Sequence, residues 1–363
     1  MVKADKDRLN RRGFLKRAGM GAMGIVFGGE ILSFADGNSN VAAQAGKAEP
    51  QHHKGEKRRL YKRVTEPARV SLVKGNDRRE IVYQSLKMIE DEILGSIGDK
   101  QILIKPNMVQ TYNPLCATHV DAVRAILDFL KPHSKRKIMI GESTAGQNTF
   151  DGFKNYKYLA LEKEYDVKLI DLNLQGYEYR YVFGKGNRPL PIRIISTFLN
   201  PNVYIISAAR MKTHDRVLVT LSLKNVIMAS PINDYKKNDK GLAHTGQRAL
   251  NTICHYNLFH LAQQVYPDLA VIDGFVAMEG DGPVWGSEFD SRVAIASRDA
   301  LAADTLATKV MGFDPKRILY LSAMTQAGMG QGDIEKINVL GSGLDKCLYH
   351  FKPEKFMAQA YNL

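Results

Sequence analysis

Five times between Gln101 and Asp299 a short apolar run ends in polar or ionisable side chains, and this rhythm restricts the fold more than any other feature of the chain. Ile102–Ile104 leads to Lys105-Pro106-Asn107, and Ile138–Ile140 to Gly141-Glu142-Ser143-Thr144. Tyr204–Ile206 leads to Lys212-Thr213-His214, Val271-Ile272 to Asp273-Gly274, and Ile295 to Arg298-Asp299. Amphipathic segments of helical period lie between these runs. Strand and helix in alternation imply an α/β fold, a largely parallel sheet flanked by helices. Strands are expected at 69–73, 101–105, 137–140, 168–171, 203–207, 269–272, 293–296 and 336–340. The expected helices are 78–94, 120–131, 153–165, 216–228, 247–264, 300–311 and 315–324. A small β-hairpin insertion, Tyr179 to Ile194, turns at Gly184-Lys185-Gly186-Asn187. In such sheets ligands bind beyond the carboxyl ends of the strands, where loops converge and helix N-termini point.

Charge excludes one class of function. The formal net charge is +13, but residues 1–63 hold 14 Lys and Arg against 6 Asp and Glu, which leaves +5 for the rest. No basic stripe with interleaved aromatics remains in the body, so nucleic acid is not an expected partner. Cys116, Cys254 and Cys347 are too dispersed for a self-contained iron–sulfur cluster.

The charge at the front has its own explanation. Asn10-Arg11-Arg12-Gly13-Phe14-Leu15-Lys16, an apolar stretch from Ala18 to Leu32 and the tripeptide Ala43-Gln44-Ala45 follow in the order of an export signal. The first of these resembles the twin-arginine motif, which implies the twin-arginine translocase as a partner and a periplasmic or extracellular destination. Residues 1–45 are therefore read as the signal, 46–63 as a disordered basic linker, 64–345 as the α/β domain and 346–363 as a C-terminal tail. No run in the remaining chain is long and apolar enough for a transmembrane helix.

The residues at the strand ends form a candidate site. Lys212, His214, Lys224 and His244 supply cations and acid–base groups around a small anion, with Glu142 opposite them. Lys105, Asn107, Lys212 and Asn225 are the expected substrate contacts. Asp273, Glu279 and Asp281, on a glycine-rich loop, offer oxygens for a divalent metal. Lys105-Pro106-Asn107, Thr118-His119, Gly141-Glu142-Ser143, Lys212-Thr213-His214, Lys224-Asn225, His244, Asp273-Gly274, Glu279 to Pro283, Asp299 and Asp304 together resemble the domain of unknown function 362 family. That family has no settled activity. His214, Lys224 ten residues on, and His244 are also distantly similar in spacing to the nickel-dependent lactate racemase family. That resemblance implies proton transfer by histidine, a lysine carrying a nickel-pincer cofactor, and a histidine on nickel.

The expected function is an exported enzyme of unassigned reaction that binds a small anionic substrate. A metal- or nickel-pincer-dependent racemase or epimerase and a non-catalytic binding or redox-accessory protein remain open, and with them the cofactor.

Overall fold

The computed structural model describes residues 66–145, 147–234, 236–246 and 252–363. The twin-arginine motif, the apolar stretch, the Ala43-Gln44-Ala45 tripeptide and the basic linker lie outside the described residues. So does the start of the helix expected from residue 247.

Among the described residues there are eleven strands: β1 (Ala68–Lys74), β2 (Gln101–Pro106), β3 (Ile138–Glu142), β4 (Val167–Asp171), β5 (Tyr177–Phe183), β6 (Pro189–Ile195), β7 (Val203–His214), β8 (Leu218–Thr220), β9 (Leu269–Glu279), β10 (Ser287–Ser297) and β11 (Ile337–Gly341). Nine form one mixed, mostly parallel sheet in the order β11-β1-β10-β9-β7-β2-β3-β4, with β8 paired to β7. β5 and β6 make a separate antiparallel hairpin. β10 is antiparallel to both of its neighbours, whereas β11, β1, β9, β7, β2, β3 and β4 all run one way. Their carboxyl ends therefore gather along one edge.

The reversal of β10 removes one expected strand end from that edge. Asp299 follows β10 and instead caps the helix Ala300–Val310, accepting hydrogen bonds from Leu301 N and Ala302 N. Side-chain alternation along β7 explains why the sheet is covered on both faces. Tyr204, Ile206 and Ala208 join one buried cluster, and Ile205, Ala209 and Met211 the other.

Two boundaries differ from expectation in a way that shapes the site. β7 does not stop at Ser207. It continues to His214 because Lys212, Thr213 and His214 pair with Thr220, Val219 and Leu218 of β8. The helix expected from Arg216 consequently begins at Ser222, since the β-branched run before it is used as a strand. β9 likewise runs on to Glu279, which places Asp273 within the strand rather than after it.

The segment 346–363 is not a free tail. Phe351 and Met357 are buried in the core, and Lys352 lies against β9 through a bond from Gly280 N to its carbonyl at 2.7 Å. Among the described residues no helix is long and apolar enough to cross a membrane.

Candidate functional site

The site grows from Asn225, which joins three elements. It lies on the short helix Ser222–Ile227, whose first two amides, Ser222 N and Leu223 N, donate to the buried carboxylate of Asp304 at 2.8 and 3.0 Å. Asp304 thus supplies from a distant helix the cap that Leu221 cannot. Asn225 Nδ2 donates to Lys105 O (3.0 Å) and Ser207 Oγ (3.1 Å), and its Oδ1 accepts from Asn107 Nδ2 (3.0 Å) and Lys105 Nζ (3.3 Å).

Each neighbouring lysine is tied into this lattice. Lys105 Nζ also donates to Pro106 O at 2.6 Å and sits 2.8 and 2.9 Å from the two oxygens of Glu142. Lys212 Nζ donates to Asn107 Oδ1 and, at 3.0 Å, to Cys116 O. Lys240, on the helix Asp239–Ala243, donates to the carbonyl of Ser143 and to its Oγ at 2.9 Å. Ser143 in turn donates its hydroxyl to Ala229 O.

Lys224 differs from all three. It is buried, yet its polar neighbour among the described residues is a single ring nitrogen, His244 Nε2 at 3.4 Å. The imidazole tautomers follow from their other bonds. His244 Nδ1 lies 2.8 Å from Lys240 O and so carries the proton, which leaves the Nε2 lone pair facing Lys224. Arg216 fixes this end of the helix by donating to His244 O and Gly246 O. His214 Nδ1 accepts from Arg216 N at 3.0 Å, so its proton is on Nε2. Asp215 approaches the same Nδ1 at 3.3 Å, but that ion pair requires a protonated ring. The two rings lie 6.5 Å apart and nearly parallel.

Burial sets the charge states. It pulls Lys212 and Lys240 down to about 7 and Lys224 to about 8. Lys105 is lowered too, with Glu142 opposing the shift. Burial, reinforced by Lys224, holds both His214 and His244 well below the usual imidazole range, so both are neutral near pH 7. Of the four amines only Lys105 touches a carboxylate, that of Glu142, while Asp171 and Asp215 act on Lys240 and Lys224 through space.

The expected residues divide. Lys105, Asn107, Glu142, Lys212, Lys224, Asn225, His214 and His244 come together. The three proposed metal-binding acids do not converge, and two of them have separate partners. Asp273 bonds Arg78 Nε at 3.3 Å, Glu279 accepts from Lys352 N at 2.8 Å, and Asp281 is exposed. Among the described residues no three His, Cys, Asp or Glu side chains are arranged to hold a metal. Sequence reasoning gave no site role to Lys240, Asp304 or Arg216, although Asp304 is among the residues that carry the family resemblance. Lys240 had a signal, since it sits four residues before His244 and so on the same face of one helical turn.

A family model described as a domain of unknown function, DUF362, matches residues 102–309, more than half of the chain. The chain belongs to this family. The matched region contains every residue of the lattice from Lys105 to Asp304. A thylakoid-associated protein of Synechocystis sp. is 24% identical over 249 residues, covering 66% of this chain and 73% of that protein. Among solved structures, the lactate racemase apoprotein of Thermoanaerobacterium thermosaccharolyticum aligns with a TM-score of 0.39 at 13% identity, and a Thermotoga maritima protein with 0.38 at 9%. Each alignment covers 69% of this chain and 58% of the other, so the chain spans little more than half of either solved protein. Likeness of that degree carries no statement about activity.

Proposed function

We propose that this member of the DUF362 family is an exported enzyme that binds a small anion at Lys224 and transfers protons through the neutral imidazoles of His214 and His244. The observation that carries the reading is the unspent valence of Lys224. Lys105, Lys212 and Lys240 direct their N–H groups at protein oxygens, whereas Lys224 has donors left for a ligand. The His244 lone pair faces Lys224, and the His214 ring, 6.5 Å from that of His244, carries an N–H; the two serve as base and acid toward one bound group. Glu142 serves as the counter-charge of Lys105 rather than as an acid opposite the substrate. Export rests on the twin-arginine pattern and the tripeptide that follows it.

Two measurements test this. Sulfate and a panel of small carboxylates, 2-hydroxy acids included, should raise the melting temperature of the native chain but not of Lys224→Met. Incubation in deuterated water should place deuterium on the carbon next to a bound carboxylate, and His214→Asn should prevent it. Unchanged stabilisation of Lys224→Met would remove the reading.

A second reading is favoured by the same pair of atoms. The spacing of His214, Lys224 and His244, with the His244 lone pair beside an amine of lowered pKa, suits a lysine-linked cofactor with one histidine on nickel. His244 Nε2 would hold the metal and Lys224 the organic group, which would have to bring the other ligands. When bound, such a group supplies an electrophilic centre for hydride or proton chemistry. Elemental analysis and intact mass of protein from its native host decide this, since no metal and no adduct on Lys224 excludes it.

A further inference from the structure

The hairpin β5–β6 has two faces of opposite character. Inward, Val182, Ile192 and Ile194 enter the core. Outward, three large aromatics stand in a row at alternate positions, Tyr179 56%, Tyr181 60% and Phe183 37% exposed. Tyr181 lies opposite Pro191 of β6. The turn adds the exposed cations Lys185 and Arg188, and the outward positions of both strands and the turn contain no Asp or Glu; Asp234 and Asp239, which reach this face opposite Tyr179, are paired with Arg193. This is an apolar, aromatic platform with a cationic rim, and the small-anion site uses none of it.

We infer that this face docks on an anionic lipid surface. Tyrosine and phenylalanine side chains settle at the headgroup boundary, where an apolar ring and a polar edge are both accommodated, and nearby Lys and Arg are drawn to acidic headgroups. The alternative of a second copy meets an electrostatic objection. A self-contact through this patch brings together two surfaces that each carry Lys185 and Arg188 with no Asp or Glu at the hairpin's outward positions, in a body of net charge +5 once residues 1–63 are set aside. A negatively charged bilayer complements the rim instead.

The purified full-length chain is sedimented with sucrose-loaded vesicles of phosphatidylcholine, with and without phosphatidylglycerol. The native chain should pellet with the anionic vesicles. Tyr179→Ser/Tyr181→Ser/Phe183→Ser should lower its partition coefficient roughly tenfold, and Lys185→Ser/Arg188→Ser by a similar factor, roughly tenfold, on anionic vesicles alone. The basic N-terminal segment is common to all three proteins, so its own attraction cancels in the comparison. All the substituted side chains are exposed, and an unchanged melting temperature confirms that the variants fold. A native chain that stays in the supernatant, or variants that pellet as it does, would overturn the inference. A dimer in sedimentation velocity that the triple variant dissolves would also overturn it and give the face to a second copy.

Discussion

Lys105 and Lys224 are both buried amines within one crevice, and they do opposite things. Lys105 spends its donors on a carboxylate, a carbonyl and an amide oxygen, so it holds β2, β3 and the helix Ser222–Ile227 together. Lys224 is carried by that helix and meets only the edge of an imidazole among the described residues. Burial alone therefore does not mark a functional charge; what marks it is burial without satisfied donors. The comparison can be broken at either end.

The largest effect is expected at Lys105. Lys105→Met leaves Glu142 buried without its cation, which should cost about 3–5 kcal/mol of stability, read as a lower urea midpoint. A loss below 1 kcal/mol would mean that the Lys105–Glu142 pair does not organise the site. Next is Asp304→Ala, which removes the acceptor from two helix amides and should cost about 1–2 kcal/mol. It should weaken sulfate binding as well, because the helix carrying Lys224 and Asn225 loses its anchor. Unaltered affinity in a destabilised Asp304→Ala would show that the helix keeps its place without the cap.

The third prediction concerns pH. Lys224 is protonated below its pKa of about 8 and neutral above it. An anion needs the protonated form, so sulfate affinity should fall above about pH 8, roughly tenfold per unit. Sulfate does not itself titrate there, so a flat profile between pH 7 and 9 would assign binding to another cation. The smallest effect is on stability at Lys224. Lys224→Met replaces a poorly paired buried amine with a side chain of similar length and should move stability by less than about 1.5 kcal/mol in either direction.

Much of this contrast was legible in the sequence, and the illegible part has physical causes. The apolar runs Ile102–Ile104 and Tyr204–Ile206 announced central strands because buried parallel strands are apolar on both faces. The direction of β10 could not be read, since Val293–Ala296 carries no mark of which neighbour it pairs with. Lys212 and His214 resembled the start of a loop because strands rarely bury such residues. They remain in β7 because β8 returns to pair with them, a long-range decision that local propensity does not contain. Leu218 even accepts a left-handed φ of 68° to make that return. Asp273 and Glu279 look like loop residues for the same reason: β9 outlasts its apolar run and is held by β10 across a register shift. The grouping of Lys, His and Asn at one edge was visible, but which amine keeps its donors free depends on carbonyls from Cys116, Pro106 and Ser143, and those are placed by the fold alone.

The most direct test is calorimetric titration of sulfate at pH 8 in buffers of different ionisation enthalpy. If Lys224 is the ligand-facing amine, the native chain takes up protons on binding, while Lys224→Met neither binds measurably nor takes up protons. If Lys224→Met retains both the affinity and the proton uptake, and Lys212→Met loses them, the distinction between the spent and unspent lysines is wrong.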